Sequence, residues 1–180
     1  MRQAVSGGVH QVPLVCETER LLLTPWRAGD ETLLADLHST PETSRFVSTG
    51  APWSQSYSAE RIDGWMDDYE ANGVGKLKLV AREDGRFIGR AGFSWSKDSG
   101  HYELGYSICH DEWGKGFATE IADGLKHWFF EQGIGNAFIA FAHIDNAASL
   151  AVLRKIGLTE TEQRDYKGRP FQFFECVATE

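Results

Sequence analysis

The sequence predicts a mixed α/β domain built on one sheet. Three observations lead to this prediction. Strand-like segments separated by turn residues occupy residues 76–109, a long amphipathic helix follows at residues 118–132, and an apolar strand follows at residues 137–142. Turn-separated strands indicate antiparallel pairing, and strands mixed with helices indicate layered α/β architecture. The full predicted order is β-α-α-β-β-β-α-β-α-β-β, with about seven strands and about four helices.

Length and composition narrow the class of protein. The 180 residues suit one domain, and the formal net charge of −8 argues against a nucleic-acid partner. An acidic balance can attract cationic substrates, but more often it only keeps a protein soluble. Three cysteines without short spacing predict neither a disulfide framework nor a metal site. No apolar run approaches a membrane span and no signal peptide is recognisable, so we expect a cytoplasmic protein without a membrane partner.

The amino-terminal third predicts a leader, a strand and two helices. Residues 1–16 lack periodicity and are interpreted as a flexible leader, with the domain at 17–180. Residues 20–24 predict a strand, and Asp30 caps a helix that Pro41 closes. After a loop to Ser58, a capping box at residues 58–61 opens the second helix. Its apolar stripe is Ile62, Trp65, Met66 and Tyr69, and residues 72–73 end it.

The remainder of the chain predicts a meander followed by helices and strands in alternation. The turn at Asp84 and Gly85 joins strands at 76–82 and 87–94, and a third strand occupies 102–109. The long helix at 118–132 leads to the strand at 137–142, which is apolar enough to be buried on both faces. A shorter helix begins at residues 145–146, and two last strands flank the turn at Lys167 and Gly168.

The turn before the long helix predicts a phosphate site. Residues 113–119 read Trp-Gly-Lys-Gly-Phe-Ala-Thr, and two glycines at a strand-to-helix junction expose backbone N–H groups beside a helix N-terminus. The spacing fits neither a P-loop nor a dinucleotide-binding fingerprint. A nucleotide-binding protein would also need a Mg²⁺-binding aspartate motif, which is not recognisable. Structural turn glycines remain the simpler alternative for this run alone.

Three stretches together resemble the GNAT acetyltransferases, closest to the branch of RimJ/RimL type. The first is residues 18–23 with Trp26 and Asp30; the second is residues 103–108 followed by 113–120. The third is residues 146–150 followed by 152–153 and 155–158. The resemblance covers residues 17–178 and implies the GNAT fold, with a mixed antiparallel and parallel sheet whose splayed strand pair holds acetyl-CoA.

The resemblance implies a set of residues that bind acetyl-CoA as co-substrate, with no metal. They are Ile108, His110, Trp113, Gly114, Lys115, Gly116, Phe117, Ala118, Thr119, Asn146 and Ser149. The family pattern has Arg or Gln where this chain has Trp113, a departure that resembles the RimJ/RimL branch. Because the phosphate contacts are mostly main-chain, the loss of one polar side chain is tolerable. Lys115 can add a charge beside the phosphates.

The same resemblance implies how the acetyl group is activated. A pantetheine arm would pair with the strand before the glycine turn, where the amides of Ile108 and His110 would polarise the thioester carbonyl. Glu103 would be the base, acting through water, although an exposed strand glutamate or a substrate anchor is an equal alternative. Ser149 would replace the tyrosine that many relatives carry as acid, or would only pack or contact CoA. Asn146 caps its helix and could also bind pantetheine.

The implied reaction is acetyl transfer from acetyl-CoA to a primary amine, by direct transfer in a ternary complex. The acceptor could be a peptide N-terminus, a polyamine or another small amine, entering near residues 46–58 and Tyr166, with Trp53 beside it. Five acidic residues of the second helix could draw in a cation or could be its solvated face: Glu60, Asp63, Asp67, Asp68 and Glu70. A non-catalytic acyl-CoA-binding module on the same scaffold is the alternative. Relatives in this branch are often dimers, so a homodimer is an option.

Overall fold

One sheet organises residues 15–178, the part of the chain that the computed structural model describes. Its eight strands are β1 (Cys16–Glu17), β2 (Leu21–Thr24), β3 (Lys76–Ala81), β4 (Phe87–Ser96), β5 (His101–Ile108), β6 (Ala137–His143), β7 (Thr159–Tyr166) and β8 (Arg169–Val177). The five α-helices are α1 (Glu31–Leu37), α2 (Pro41–Ser44), α3 (Gln55–Asn72), α4 (Phe117–Glu131) and α5 (Ala147–Lys155). The mixed α/β class is confirmed, with β1 and α2 added to the predicted elements.

The sheet opens at one place. The strands run in the order β1-β2-β3-β4-β5-β6-β8-β7, and all neighbours are antiparallel except β5 and β6, which are parallel. Only three residue pairs join β5 to β6, from Tyr102 with Phe138 to Leu104 with Ala140. Beyond these pairs, residues 105–108 of β5 and residues 141–143 of β6 do not pair with each other, although β6 stays paired to β8. The predicted splayed strand pair is therefore confirmed.

The two faces of the sheet differ in polarity. On the face covered by α4, Phe93 of β4 lies 4.7 Å from Phe129, centroid to centroid, and both are fully buried. Burying each such ring contributes on the order of 1.5–3 kcal/mol. Side chains of a strand alternate between faces, so Arg90 of β4 lies on the opposite face, beneath α3. The α4 face is the apolar core, and the α3 face carries the charges.

Several sequence predictions about element boundaries are wrong. The second helix begins at Gln55, not at the predicted box of 58–61, because the Ser54 hydroxyl accepts from the Tyr57 amide at 3.1 Å. Pro41 opens α2 instead of closing α1. Cys16 is buried and pairs with Leu23, so strand structure begins one residue before the predicted boundary at Glu17. The rest of the predicted leader, residues 1–14, lies outside the described residues.

The predicted burial of β6 on both faces is wrong on one face. Phe138, Ala140 and Ala142 are buried, whereas Ile139 and Phe141 are half-buried. Phe141 lines a cavity that begins where β5 and β6 separate. The half-buried face of β6 is therefore one wall of an open space in the molecule.

Candidate active site

The glycine turn presents backbone amides at the start of α4. Gly114 and Gly116 have φ of +76° and +82°, a left-handed conformation that glycine adopts without steric cost. Gly116 is the N-cap of α4, and its carbonyl accepts from the Glu120 amide at 3.0 Å. The amides of residues 117–119, between Gly116 and Glu120, precede the first intrahelical hydrogen bond and so lack a helical acceptor. Together with the helix dipole they form an arrangement suited to an anion.

An ion pair that sequence reasoning did not assign fixes this turn to the sheet. Glu120 accepts from the Thr18 hydroxyl at 2.6 Å, and from the backbone amide and Nε of Arg20 at 2.8 and 2.6 Å. Arg20 also donates from Nη1 to the Lys115 carbonyl at 3.0 Å, and its guanidinium lies 4.5 Å from the centre of the Phe117 ring. Burial favours the neutral form of Glu120, but these hydrogen bonds prevail and lower its pKa. Glu120 is thus an ionised anchor.

The charged side chains of the turn are also paired with one another. Glu112 accepts from Arg86 at 3.1 Å and from Lys115 at 2.9 Å, and these hydrogen bonds lower its pKa. Lys115 thus has a carboxylate partner, unlike the free phosphate-binding charge expected from the sequence. The backbone, not a side chain, is the exposed polar feature of the turn.

Two tryptophan residues lie at the surface: Trp113 is 46% exposed and Trp95 is 45% exposed. The Trp113 indole donates from Nε1 to the Ile108 carbonyl at 2.8 Å, which closes the end of β5. Its ring also meets His110 edge-on at 4.7 Å between centroids. Trp113 therefore braces the turn against the strand.

The separation of β5 from β6 leaves amides of β5 facing the gap. The Cys109 amide donates to the Ile88 carbonyl of the β3–β4 side of the sheet at 2.8 Å. Amides alternate in direction along a strand, so those of Ile108 and Tyr106 point the other way, toward β6. His110 begins a 3₁₀ turn beyond the strand. Of the two predicted amide positions, Ile108 thus lies in the strand edge and His110 does not, and Tyr106 was missed.

Helix α5 closes the other side of the gap. Asn146 is its N-cap, as predicted, and its Oδ1 accepts from the Ser149 amide at 3.2 Å. Tyr106 reaches across from β5, with its hydroxyl 3.5 Å from the Ser149 carbonyl oxygen. Burial raises the pKa of Tyr106, so its hydroxyl stays protonated. A tyrosine hydroxyl thus stands against this helix, although the helix itself contains none.

A cavity of about 310 Å³ adjoins the gap on the α3 face. Among its lining residues are Trp53, Glu103 and Ser149, which the sequence analysis had singled out. Glu103 accepts from Lys76 Nζ at 2.8 Å, and both side chains are mostly buried. A β-carbon at Gly105 would lie 2.9 Å from Lys76 Nζ, so glycine makes room for this lysine. Burial lowers the pKa of Lys76, an effect that Glu103 opposes.

A second charged group on this face, missed from the sequence, is Arg90. It is buried, and its Nε donates to Nε2 of His38 at 3.2 Å. His38 is fully buried, and its Nδ1 lies 3.0 Å from the Thr43 carbonyl oxygen. Burial and the neighbouring Arg90 lower the pKa of His38 to about 3, so the ring is neutral and accepts from the arginine. The only sequence signal was a single arginine in an apolar strand.

Three further features of the described residues concern metal binding, membrane spanning and the acidic face of α3. Residues 15–178 bring no three His, Cys, Asp or Glu side chains together in a way that could hold a metal ion. No helix in the described part of the chain is both long and apolar enough to cross a membrane. The five acidic residues of α3 do not line the cavity, to which that helix contributes Tyr57, Arg61 and Trp65.

Comparisons with known proteins agree with this geometry. A family model described as acetyltransferase (GNAT) domain matches residues 20–159. The uncharacterized N-acetyltransferase p20 of Bacillus licheniformis is 28% identical over 158 residues, 84% of this chain and 88% of that protein. The acetyltransferase of Agrobacterium tumefaciens strain C58 has a TM-score of 0.79 at 22% identity, covering 99% of this chain and 100% of that one. RimL, a ribosomal L7/L12 alpha-N-protein acetyltransferase solved with coenzyme A, has a TM-score of 0.78 at 15% identity, covering 92% and 98%.

Proposed function

This chain belongs to the GNAT family of acetyltransferases, and we propose that it transfers an acetyl group from acetyl-CoA to a primary amine. The observation that carries the proposal is the opening between β5 and β6 beside the amides of the glycine turn. One end of this opening suits an anionic phosphate group. The other end suits an extended chain that pairs with the free edge of β5.

In this function, the residues that bind acetyl-CoA act mainly through their backbone amides. The amides of residues 114–119 bind the pyrophosphate, and that of Ile108 pairs with the pantetheine arm. The buried Phe117 side chain cannot contact the ligand, so its amide alone serves. Trp113 holds the end of β5 in place through its bond to Ile108. Asn146 fixes the first turn of α5, where Ser149 faces the cavity.

The reaction requires a neutral amine to attack the thioester carbonyl carbon. A C–N bond forms and the C–S bond breaks, while the amine loses one proton and the CoA thiolate gains one, which gives an N-acetyl product and free CoA. Glu103 accepts the amine proton, directly or through water, and Lys76 holds its carboxylate in position. The strand-edge amide of Tyr106, which lies farther from the glycine turn than that of Ile108, stabilises the oxyanion. Two hydroxyls at α5 are candidates to protonate the departing thiolate: that of Ser149, within the helix, and the protonated one of Tyr106, 3.5 Å from the Ser149 carbonyl oxygen.

Release of free CoA thiol from acetyl-CoA, measured over a panel of amines, tests this function. The panel holds a peptide N-terminus, because RimL is named an alpha-N-protein acetyltransferase, together with polyamines and amino acids. Amine-dependent thiol release that yields the N-acetyl product by mass spectrometry supports the proposal. Tight acetyl-CoA binding in calorimetry without thiol release on any amine would instead identify a non-catalytic acyl-CoA-binding module.

A further inference from the structure

The cavity on the α3 face is basic, although the chain as a whole is acidic. The described residues that line it include four basic side chains, Arg61, Lys76, Arg90 and Lys167, and a single acidic one, Glu103. The formal net charge of the chain is −8. A cavity whose charge opposes that of its protein is adapted to a ligand of the opposite sign, since clefts focus the local field.

Arg90 lacks the anionic partner that a buried cation requires. Among residues 15–178, no carboxylate lies within 4.0 Å of it, and its side chain donates one hydrogen bond, to the neutral His38. Its guanidinium lies 5.7 Å from the Trp53 ring centre and 5.1 Å from that of Trp65. A guanidinium has five N–H donors, and buried charges are normally paired. The other four N–H donors of Arg90 have no hydrogen-bond acceptor among the described residues.

Two neutral donors stand beside this arginine with no partner. Ser107 lies directly opposite Arg90 in the ladder between β4 and β5. The Ser107 hydroxyl and the Trp53 indole nitrogen are both buried, line the cavity through their residues, and have no hydrogen-bond partner among the described residues. Lys76 and Glu103 neutralise one another and do not compensate Arg90. The unsatisfied groups are therefore a cation and two donors.

Resting on the proposed acetyl transfer, we infer that the acceptor is a small primary amine carrying an oxyanion, which Arg90 binds with Ser107 and Trp53. A guanidinium fork matches a carboxylate or a phosphate equally well. A cavity of about 310 Å³ is at the small end of ligand pockets, which suits an amino acid or aminophosphate. Polyamines would bring a second cation toward Arg90 and are rejected.

Matched amines test the inference through kcat/KM. The pairs are L-aspartate with L-asparagine, glycine with glycinamide, and phosphoethanolamine with ethanolamine, which also separate carboxylate from phosphate; spermidine and a neutral peptide complete the set. We expect the anionic member of at least one pair to exceed its partner by about tenfold or more. Equal or faster turnover of the neutral partners, the peptide or spermidine overturns the inference while leaving the acetyltransferase function intact.

Two variants localise the effect. Arg90→Met should reduce the preference to about threefold or less with acetyl-CoA affinity unchanged. Because that variant could fail to fold, Ser107→Ala is the second, and should raise KM for the anionic amine about fivefold, with the neutral partner unaffected. Ser99→Ala is its control, since Ser99 also has a buried hydroxyl without a partner but does not line the cavity. Unchanged KM in Ser107→Ala would contradict the inference.

Direct binding keeps the inference testable if no amine is acetylated. Calorimetry of the CoA-bound protein with L-aspartate and phosphoethanolamine should then show binding that L-asparagine and ethanolamine lack, weakened by Ser107→Ala. Such a result supports the anion site although acetyl transfer has failed. If neither anionic amine binds, the proposed anion site at Arg90 is overturned together with the acetyl transfer.

Discussion

The two sides of the cleft offer a ligand different chemical groups. The cofactor side offers backbone amides, and the acceptor side offers side chains. On the cofactor side, the glycine turn and the start of α4, charged side chains satisfy one another and the backbone amides are left free. Glu120 holds Arg20, and Glu112 holds Lys115. On the acceptor side, the cavity under α3, the backbone is paired in the β4–β5 ladder, and Arg90 donates to the neutral His38 but has no carboxylate partner among the described residues.

This difference separates what is common to a family from what distinguishes its members. Main-chain amides bind a phosphate group whatever the neighbouring side chains are, provided that the turn keeps its shape. Side chains in a cavity can change without altering the sheet. We therefore expect cofactor binding to depend on backbone conformation and acceptor choice to depend on individual charges.

The largest effect is expected from the backbone of the cofactor side. Gly116→Val places a β-branched residue at φ +82° and should weaken acetyl-CoA binding on the order of 100-fold in calorimetry. Gly133→Val is the control, since Gly133 has φ +63° at the far end of the same helix and open space around it. Equal affinities of the two variants would remove the phosphate role of the turn.

The next effect belongs to the acceptor side and should leave the cofactor side untouched. Glu103→Gln keeps an oxygen that can accept from Lys76 but cannot take a proton, so kcat should fall about 100-fold. Acetyl-CoA affinity should change less than about threefold. Initial rates across pH, with calorimetry beside them, check both parts. A variant that retains the wild-type pH–rate profile would exclude Glu103 as the base.

A smaller effect is expected where side chains support the glycine turn. Glu120→Gln weakens the hold on Arg20 and should raise the acetyl-CoA dissociation constant about fivefold, with kcat at saturation little changed. Asp123→Asn is matched to it, because the partners of Asp123 among the described residues, Lys126 at 2.8 Å and His127 at 3.7 Å, both lie within α4. If both variants bind acetyl-CoA like the wild type, the Arg20–Glu120 pair does not position the turn.

The last prediction concerns the pH dependence of stability beneath the acceptor side, where neither binding nor rate is measured. His38 has a pKa of about 3 when folded and an ordinary value of 6.5 when unfolded, so between these pH values only the unfolded chain binds its proton. The contribution of the neutral His38 ring to the free energy of unfolding is full above pH 6.5 and falls as the pH decreases toward 3. His38→Gln should reduce the pH slope of the unfolding free energy in this window by about 1.4 kcal/mol per unit. Denaturant titrations at several pH values measure it; parallel slopes would contradict the buried neutral ring.

Local signals carried much of the prediction of the fold. The hairpin at Gly85, the stop at Gly73 and the cap at Asn146 each depend on a few adjacent residues, and all three are present in the structure. The start of α3 was misplaced because Ser54 and Ser58 both suit a cap by local criteria. The Ser54 hydroxyl makes the cap, and tertiary contacts bury Ser58 inside the helix.

Long-range pairs explain what the sequence could not predict about the acceptor side. His38 and Arg90 are 52 residues apart, and Lys76 and Glu103 are 27 apart. Neither pair has a periodic or spaced motif, because the register of the sheet and the placement of α3 bring them together. Glu103 itself was found by resemblance, but its lysine partner was not.

The most direct test of the account is a residue-resolved amide NMR titration with acetyl-CoA. If the cofactor lies in the opening between β5 and β6, the largest shift changes fall on the amides of residues 114–119, Tyr106 and Ile108. The amides of residues 97–100, in the turn before β5 and at the opposite end of that strand from the glycine turn, should be unaffected. Largest changes at the far end of α4, around Gly133, with none at the glycine turn, would contradict the account.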